Sequence, residues 1–156
     1  MKTIILYASV HHKNTFKIIQ QMAPILDADL IDITREKHPD LSDYTLVGFA
    51  SGIYFNNLHK DLLECLSVNS FTKRQKVFLV YTCGFAYKNY GKQVQAKLAA
   101  KGIDCIGQFH CRGYDTYGPF AKIGGIAKNH PNEKDLSSAR LFADSLVQRY
   151  RNLTVE

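Results

Sequence analysis

A doubly wound α/β domain, with five short parallel strands and helices on both faces, is the fold class this sequence predicts. Three observations point to it. Short apolar runs alternate with amphipathic stretches along the chain. The runs are nearly continuous, as strands buried on both faces require. Most of the unusual loop residues fall after the runs, which suggests one ligand-binding edge. Parallel strands need crossovers, which are right-handed and here helical, so both faces of the sheet are covered.

The elements follow in order. TIILYAS (3–9) reads as the first strand, and NTFKIIQQMAPIL (14–26) as a helix with Phe16, Ile19, Ala23 and Leu26 at helical spacing. ADLIDI (28–33) is a second strand, followed by a polar loop (34–44) and by TLVGFAS (45–51), the third strand. Leu58, Leu62, Leu63 and Leu66 suit a helix. KVFLVYT (76–82) is the fourth strand, and KNYGKQVQAKLAAKG (88–102) a helix closed by a C-terminal glycine. IDCIGQFHC (103–111) is the fifth strand. After a Gly- and aromatic-rich stretch (112–130), Pro131 and Asn132 introduce a last helix. Its Leu136, Ala139, Phe142, Ala143, Leu146 and Tyr150 share one face.

Composition narrows the function. The 156 residues, 46% hydrophobic and 22% charged, suit a single domain over 1–156. No apolar run approaches the roughly 18–20 residues of a membrane span, and Met1-Lys2 leads into a strand, so a cytoplasmic chain is expected. Cys65, Cys83, Cys105 and Cys111 form no CxxC pair and have no histidines at ligand spacing, so free thiols are expected and a metal site is not. The net charge of +6 comes from lysines and arginines scattered among helices, without a basic helix or an RNA-binding signature. Nucleic acid is therefore not the expected partner.

The loops to weigh are 9–15, 34–44, 51–57, 82–90 and 112–132, because each leaves a strand's C-terminal end. In SVHHKNT (9–15), Ser9, Asn14 and Thr15 stand beside the unpaired N–H groups and positive dipole end of the first helix. Two readings are open: Asn14 or Thr15 caps the helix, or the turn cradles a phosphomonoester, with Lys13, His11 and His12 supplementing the field. Each histidine also reads as a plain surface residue. Competing ligands fall away. Neither GxGxxG nor GxxxxGK[ST] occurs, YASVHH and GFASG lack the acids of a response-regulator receiver, and the first loop has no cysteine to serve as a phosphatase nucleophile.

With this turn after strand one, SGIYF after strand three and TCGF after strand four, the chain resembles the flavodoxin family over nearly its whole length. The resemblance implies a sheet order of 2-1-3-4-5 and FMN as cofactor. The family's Ser/Thr-x-Thr-Gly-Asn-Thr phosphate loop carries over to Ser9, Asn14 and Thr15; here four residues rather than three lie between Ser9 and Asn14, and none is glycine. The turn is similar to the SVHHxNT form of a bacterial flavodoxin-like subgroup, as are ASGIYF (50–55) and GYDTYGPF (113–120).

A flavin ring needs apolar cover and backbone donors at its pyrimidine edge. Ser51, Gly52, Ile53, Tyr54 and Phe55 occupy the family's first flavin loop. Gly52 permits close backbone approach, and Ile53, Tyr54 or Phe55 could cover a ring face. Thr82, Cys83, Gly84 and Phe85, with Tyr87 and Tyr90 behind, occupy the second. Singly, each aromatic also reads as a cap on the core. Cys83 is expected to be a small tolerated residue rather than a redox thiol. In the long loop, Tyr114, Asp115, Tyr117 and Phe120 form either a cover or docking surface, or an Ω-loop packed on itself.

The flavin would supply the redox chemistry, and no catalytic acid or base is required of the chain. An FMN electron carrier or small flavin-dependent reductase leads, with a redox partner protein or an NAD(P)H-dependent reductase as partner. The alternatives are a flavodoxin-fold binding module without FMN, and a phosphoester hydrolase using His11 or His12, which lacks an accompanying nucleophile or metal set. A pI near 9.1 departs from the acidic character usual in flavodoxins, and implies either an acidic docking partner or docking that is not electrostatic.

Overall fold

The computed structural model describes residues 1–155. Its strands are β1 (Thr3–Ala8), β2 (Ala28–Asp32), β3 (Leu46–Gly52), β4 (Lys76–Cys83) and β5 (Asp104–Arg112), forming one parallel sheet in the order β2-β1-β3-β4-β5. The helices are α1 (Asn14–Leu26), α2 (Lys60–Val68), α3 (Lys92–Ala100) and α4 (Glu133–Thr154), with a short 3-10 helix at Gly118–Ile123. Fold class and strand order match the sequence prediction.

Strand pleating divides the core in two. Ile4, Leu6, Val47, Phe49, Val77, Leu79 and Tyr81 point to one face, where they pack on Leu62, Cys65 and Leu66 of α2 and Val94 and Leu98 of α3. Their alternates Ile5, Leu46, Ala50, Phe78 and Val80 meet Ile18, Ile19, Met22 and Leu26 of α1 and Ala139, Ala143 and Leu146 of α4. Continuous apolar strands are the direct consequence of this two-sided burial. Gly48 is paired with Phe78, and a Cβ there would lie 2.4 Å from the Phe78 ring, so the missing side chain is what seats that ring.

Several boundaries move. The buried stripe of α1 runs through Ile18, Ile19, Met22 and Leu26, while Phe16 and Ala23 are half-buried, because α1 is wedged between the sheet and α4 and buries a wider arc than one stripe. α2 begins at Lys60 rather than Leu58, with His59 as N-cap accepting from the Asp61 amide at Nδ1, 3.2 Å. Burial holds the His59 imidazole below its ordinary pKa, against the opposing pull of Asp61. α3 begins at Lys92, not 88, because the Asn89 side chain takes the Gly91 amide at 3.0 Å and closes a turn there. Gly102 follows α3 at φ +69°, the left-handed helix end its residue type favours. Asn132 caps α4 in a reciprocal capping box with Asp135. No helix among the described residues is long and apolar enough to cross a membrane.

The topology fixes where a ligand can sit. The chain passes outward from β1 to β2 and then returns across β1 to β3, so the crevice between the loops after β1 and β3 is the switch point.

Candidate functional site

A cavity of about 360 Å³ opens at that crevice, within the size range of small-molecule sites. Four of the five expected loops line it. The 34–44 loop does not, because β2 lies at the outer edge of the sheet.

The β1–α1 turn contributes Ser9, His11, Asn14 and Thr15, together with Val10. The Ser9 hydroxyl accepts from the Phe16 amide at 3.2 Å, and Thr15 exchanges a hydrogen bond with Thr82 between hydroxyls 2.9 Å apart. The cap position of α1 is Lys13, whose side chain caps nothing, so neither Asn14 nor Thr15 is the N-cap weighed from sequence. The amides of Asn14 and Thr15 take no acceptor among the described residues. The donors of this helix end therefore remain available, with the dipole behind them. Asn14 instead donates from Nδ2 to the Tyr114 carbonyl at 2.8 Å, and its buried Oδ1 has no donor among the described residues.

His12 and Lys13 do not line the cavity. Both adopt left-handed conformations, φ 53° and 52°, which absorb the extra residue of this turn without a glycine. His12 turns outward onto the last loop, with Nε2 2.9 Å from the Thr116 hydroxyl and its ring 4.3 Å from that of Tyr114.

Gly52, Ile53, Tyr54 and Phe55 line the second wall, with Asn56. Ser51 is buried beneath them rather than in the cavity: its hydroxyl donates to the Gly52 carbonyl at 2.7 Å and accepts from the His59 amide at 3.0 Å. Residues 54–57 form a tight two-residue turn. Tyr54 and Asn57 exchange backbone hydrogen bonds of 2.8 and 3.0 Å, while Phe55 (φ 49°) and Asn56 (φ 64°) are both left-handed, the pattern of a type I′ turn. Asn suits that position; Phe does not. The turn leaves Phe55 90% exposed at the cavity mouth. The Tyr54 ring folds back over Gly52, where a Cβ would lie 3.3 Å from its hydroxyl.

Thr82, Cys83, Gly84, Phe85, Tyr87 and Tyr90 all reach the cavity. Gly84 answers to protein rather than ligand, since a Cβ there would lie 2.6 Å from the Asp115 side chain and 2.9 Å from Ile126. Burial pushes the Cys83 thiol up to about 11, despite Arg112 nearby. Burial, with Tyr87 alongside, pushes Tyr90 up to about 12. Burial also raises Tyr54. Thiol and phenols are therefore neutral near neutral pH, and Cys83 is a poor nucleophile. All four cysteines are free, and the described residues hold no group of three or more potential metal ligands.

Tyr114 and Asp115 line the fourth wall, with Gly113, Tyr117 and Phe120. The loop is pinned at its base. Asp115 and Ile126 exchange backbone hydrogen bonds of 3.0 and 2.8 Å, and the Tyr114 amide reaches the His130 carbonyl at 2.9 Å. Its aromatics line the cavity while its backbone bonds to itself. Val10 and Gly113 also line the cavity and are not among the residues the sequence singles out. Gly113 had a signal, a glycine directly after a strand at the ligand edge; a Cβ there would lie 2.7 Å from the Asn14 side-chain nitrogen.

A family model described as a flavodoxin domain matches residues 4–124. The chain belongs to the flavodoxin family. It is 43% identical over 150 residues to the uncharacterized protein MJ0298 of Methanocaldococcus jannaschii, covering 95% of this chain and 99% of that one. Among solved structures, this flavodoxin-family fold is similar to the Streptococcus pneumoniae TIGR4 flavodoxin, with a TM-score of 0.67 at 13% identity over 96% of this chain and 99% of the other. A flavodoxin from the domain Archaea gives a TM-score of 0.62 at 12% identity over 97% and 99%. The rubredoxin:oxygen oxidoreductase of Desulfovibrio gigas gives 0.66 at 16% identity over 97% of this chain, which spans only 36% of that one. These three likenesses are of fold.

Proposed function

We propose that this flavodoxin-type protein binds FMN in the cavity and moves electrons, as a carrier or as a small flavin-dependent reductase. One observation carries the reading: at the switch point of a flavodoxin-family sheet, an uncapped helix N-terminus and an aromatic-walled cavity share one opening. The two halves suit the two ends of the cofactor. The free amides of Asn14 and Thr15 at the head of α1 offer donors to a phosphate, with Ser9 and Thr15 hydroxyls beside them. Tyr54, Phe85, Tyr87 and Tyr90 offer apolar cover to a flat ring. The buried Asn14 Oδ1, without a donor among the described residues, marks a turn whose polar groups are not all satisfied by them.

When bound, FMN would supply one- and two-electron chemistry. The chain's part is to bind, orient and desolvate. Neutral Cys83, Tyr54 and Tyr90 would place no charge against the ring, so tuning would fall to backbone groups of the 51–54 and 82–85 turns and to Asp115, which also lines the cavity. Hydrolysis by His11 or His12 is not supported, because His12 faces the last loop and the His11 ring has no hydrogen bond to a hydroxyl or thiol among the described residues. The partner would be a redox protein or an NAD(P)H-dependent reductase, in the cytoplasm, where free cysteines persist.

Visible spectroscopy of the purified protein tests the reading. A flavin absorption spectrum, retained or restored on adding FMN, is expected; a protein that stays colourless and leaves added FMN unperturbed would favour the binding-module alternative. Oxidation of NADPH by the loaded protein would mark an enzyme rather than a carrier.

A further inference from the structure

The basic residues are spread along the chain, but the acids that would balance them are missing from one edge of the fold. The four loops around the cavity, 9–15, 51–57, 82–90 and 112–132, hold Lys13, Lys88, Arg112, Lys122 and Lys128 against a single acid, Asp115. The rest of the chain divides its charges almost evenly, fifteen basic to thirteen acidic, out of totals of 20 and 14. All five cations are exposed, whereas Asp115 is half-buried and its carboxylate accepts the Tyr117 amide at 2.8 Å. Excess positive charge is thus concentrated on one edge of the molecule.

The same edge carries an apolar mouth. Val10, Phe55, Phe85, Tyr87 and Tyr117 all line the cavity and are each more than half exposed. Phe55 meets Tyr117 edge-on across two loops at 6.4 Å; within the 82–90 loop Phe85 meets Tyr87 at 5.8 Å, and Lys88 lies over the Tyr87 and Tyr90 rings. Phe55 is the telling member. A bulky residue held left-handed in a tight turn costs stability, and such strain persists where it serves a site. Here it projects a nearly fully exposed ring.

We infer that this edge is a docking face for a protein with an acidic surface, seated over the cavity mouth with the aromatic ring of residues at its centre and the lysines at its rim. Apolar centre and charged rim are the anatomy of a transient protein interface, and aromatic anchors carry most of the energy in such contacts. The cations set the sign of the partner and speed its approach. The identity of the partner as an electron carrier rests on the proposed flavin function; the docking itself does not.

The test maps the face on the protein as purified, by amide NMR with two probes: a plant-type [2Fe–2S] ferredoxin, which is acidic and paramagnetic, and cytochrome c, which is basic. Expected is broadening by ferredoxin of the amides of Phe55, Phe85, Tyr87 and Tyr117 at low salt. Affinity should fall about tenfold by ~0.15 M salt, as screening shortens the field, and by a similar factor in the variant Lys88→Gln/Lys122→Gln/Lys128→Gln. Absence of broadening, broadening on another face, tighter binding of cytochrome c at the mouth, or response of these amides to a single-stranded oligonucleotide instead of ferredoxin would each overturn the inference. A separate FMN titration isolates the two claims: its failure removes the flavin reading and leaves the docking map standing, and the reverse holds equally.

Discussion

The side-chain amide of Asn14 donates to the backbone carbonyl of Tyr114 across 2.8 Å, tying the turn after the first strand to the loop after the last. Residues 100 positions apart in sequence thereby close the cavity at the head of α1. Asn14→Ala should cost about 1–2 kcal/mol in denaturant unfolding, the range for a carbonyl left without its donor, and should weaken FMN binding. Unchanged stability would show that the two loops are not held by this bond.

Phe55 makes a counter-intuitive prediction. Its left-handed φ of 49° is natural for glycine and strained for an aromatic. Phe55→Gly should therefore leave stability unchanged or raise it by up to about 1 kcal/mol, while weakening association with an acidic partner. A loss of stability, measured by thermal unfolding, would mean that the ring packs rather than projects.

Gly84 is fixed by protein contacts. A Cβ there would lie 2.6 Å from Asp115 and 2.9 Å from Ile126, the pair that pins the last loop. Gly84→Ala should cost about 1–3 kcal/mol and expose 112–132 to limited proteolysis. A variant as stable and as resistant as the parent would contradict the packing described.

Stability should fall at both ends of the pH scale, for separable reasons. His59 is held below its ordinary pKa by burial and must keep Nδ1 unprotonated to accept the Asp61 amide. Below about pH 6.5 the unfolded chain binds a proton that the folded chain does not, so stability drops as pH falls. His59→Asn, which keeps a cap acceptor, should flatten this acid limb. Cys83 and Tyr90 are pushed up to about 11 and about 12. Above their unfolded values of about 8.5 and 10, the unfolded chain releases protons that the folded chain keeps, and stability drops as pH rises. Denaturant midpoints across the range check both limbs.

Much of this was legible in the sequence because it rests on local patterns. Apolar runs such as KVFLVYT announce two-sided burial, Gly102 and Asn132 announce helix ends, and strand-end loops are where ligands gather. What escaped depends on contacts between distant segments. Nothing near Gly84 in sequence names Asp115 as its neighbour, and nothing in SVHHKNT says that His12 turns away to Thr116 while His11 stays. Ser51 has the same chemistry as Ser9, yet the chain's return through His59 spends its hydroxyl on backbone. The left-handed Phe55 runs against its residue type, and the grouping of Lys13, Lys88, Lys122 and Lys128 exists only once the loops meet.

The central claim, that the cavity at the β1/β3 crevice holds FMN, is tested most directly by titrating cofactor-free protein into FMN and following flavin fluorescence. Binding in an aromatic-walled site should quench the emission and saturate at one FMN per chain, with a weaker curve for Asn14→Ala. Emission that stays constant with protein in excess would contradict it.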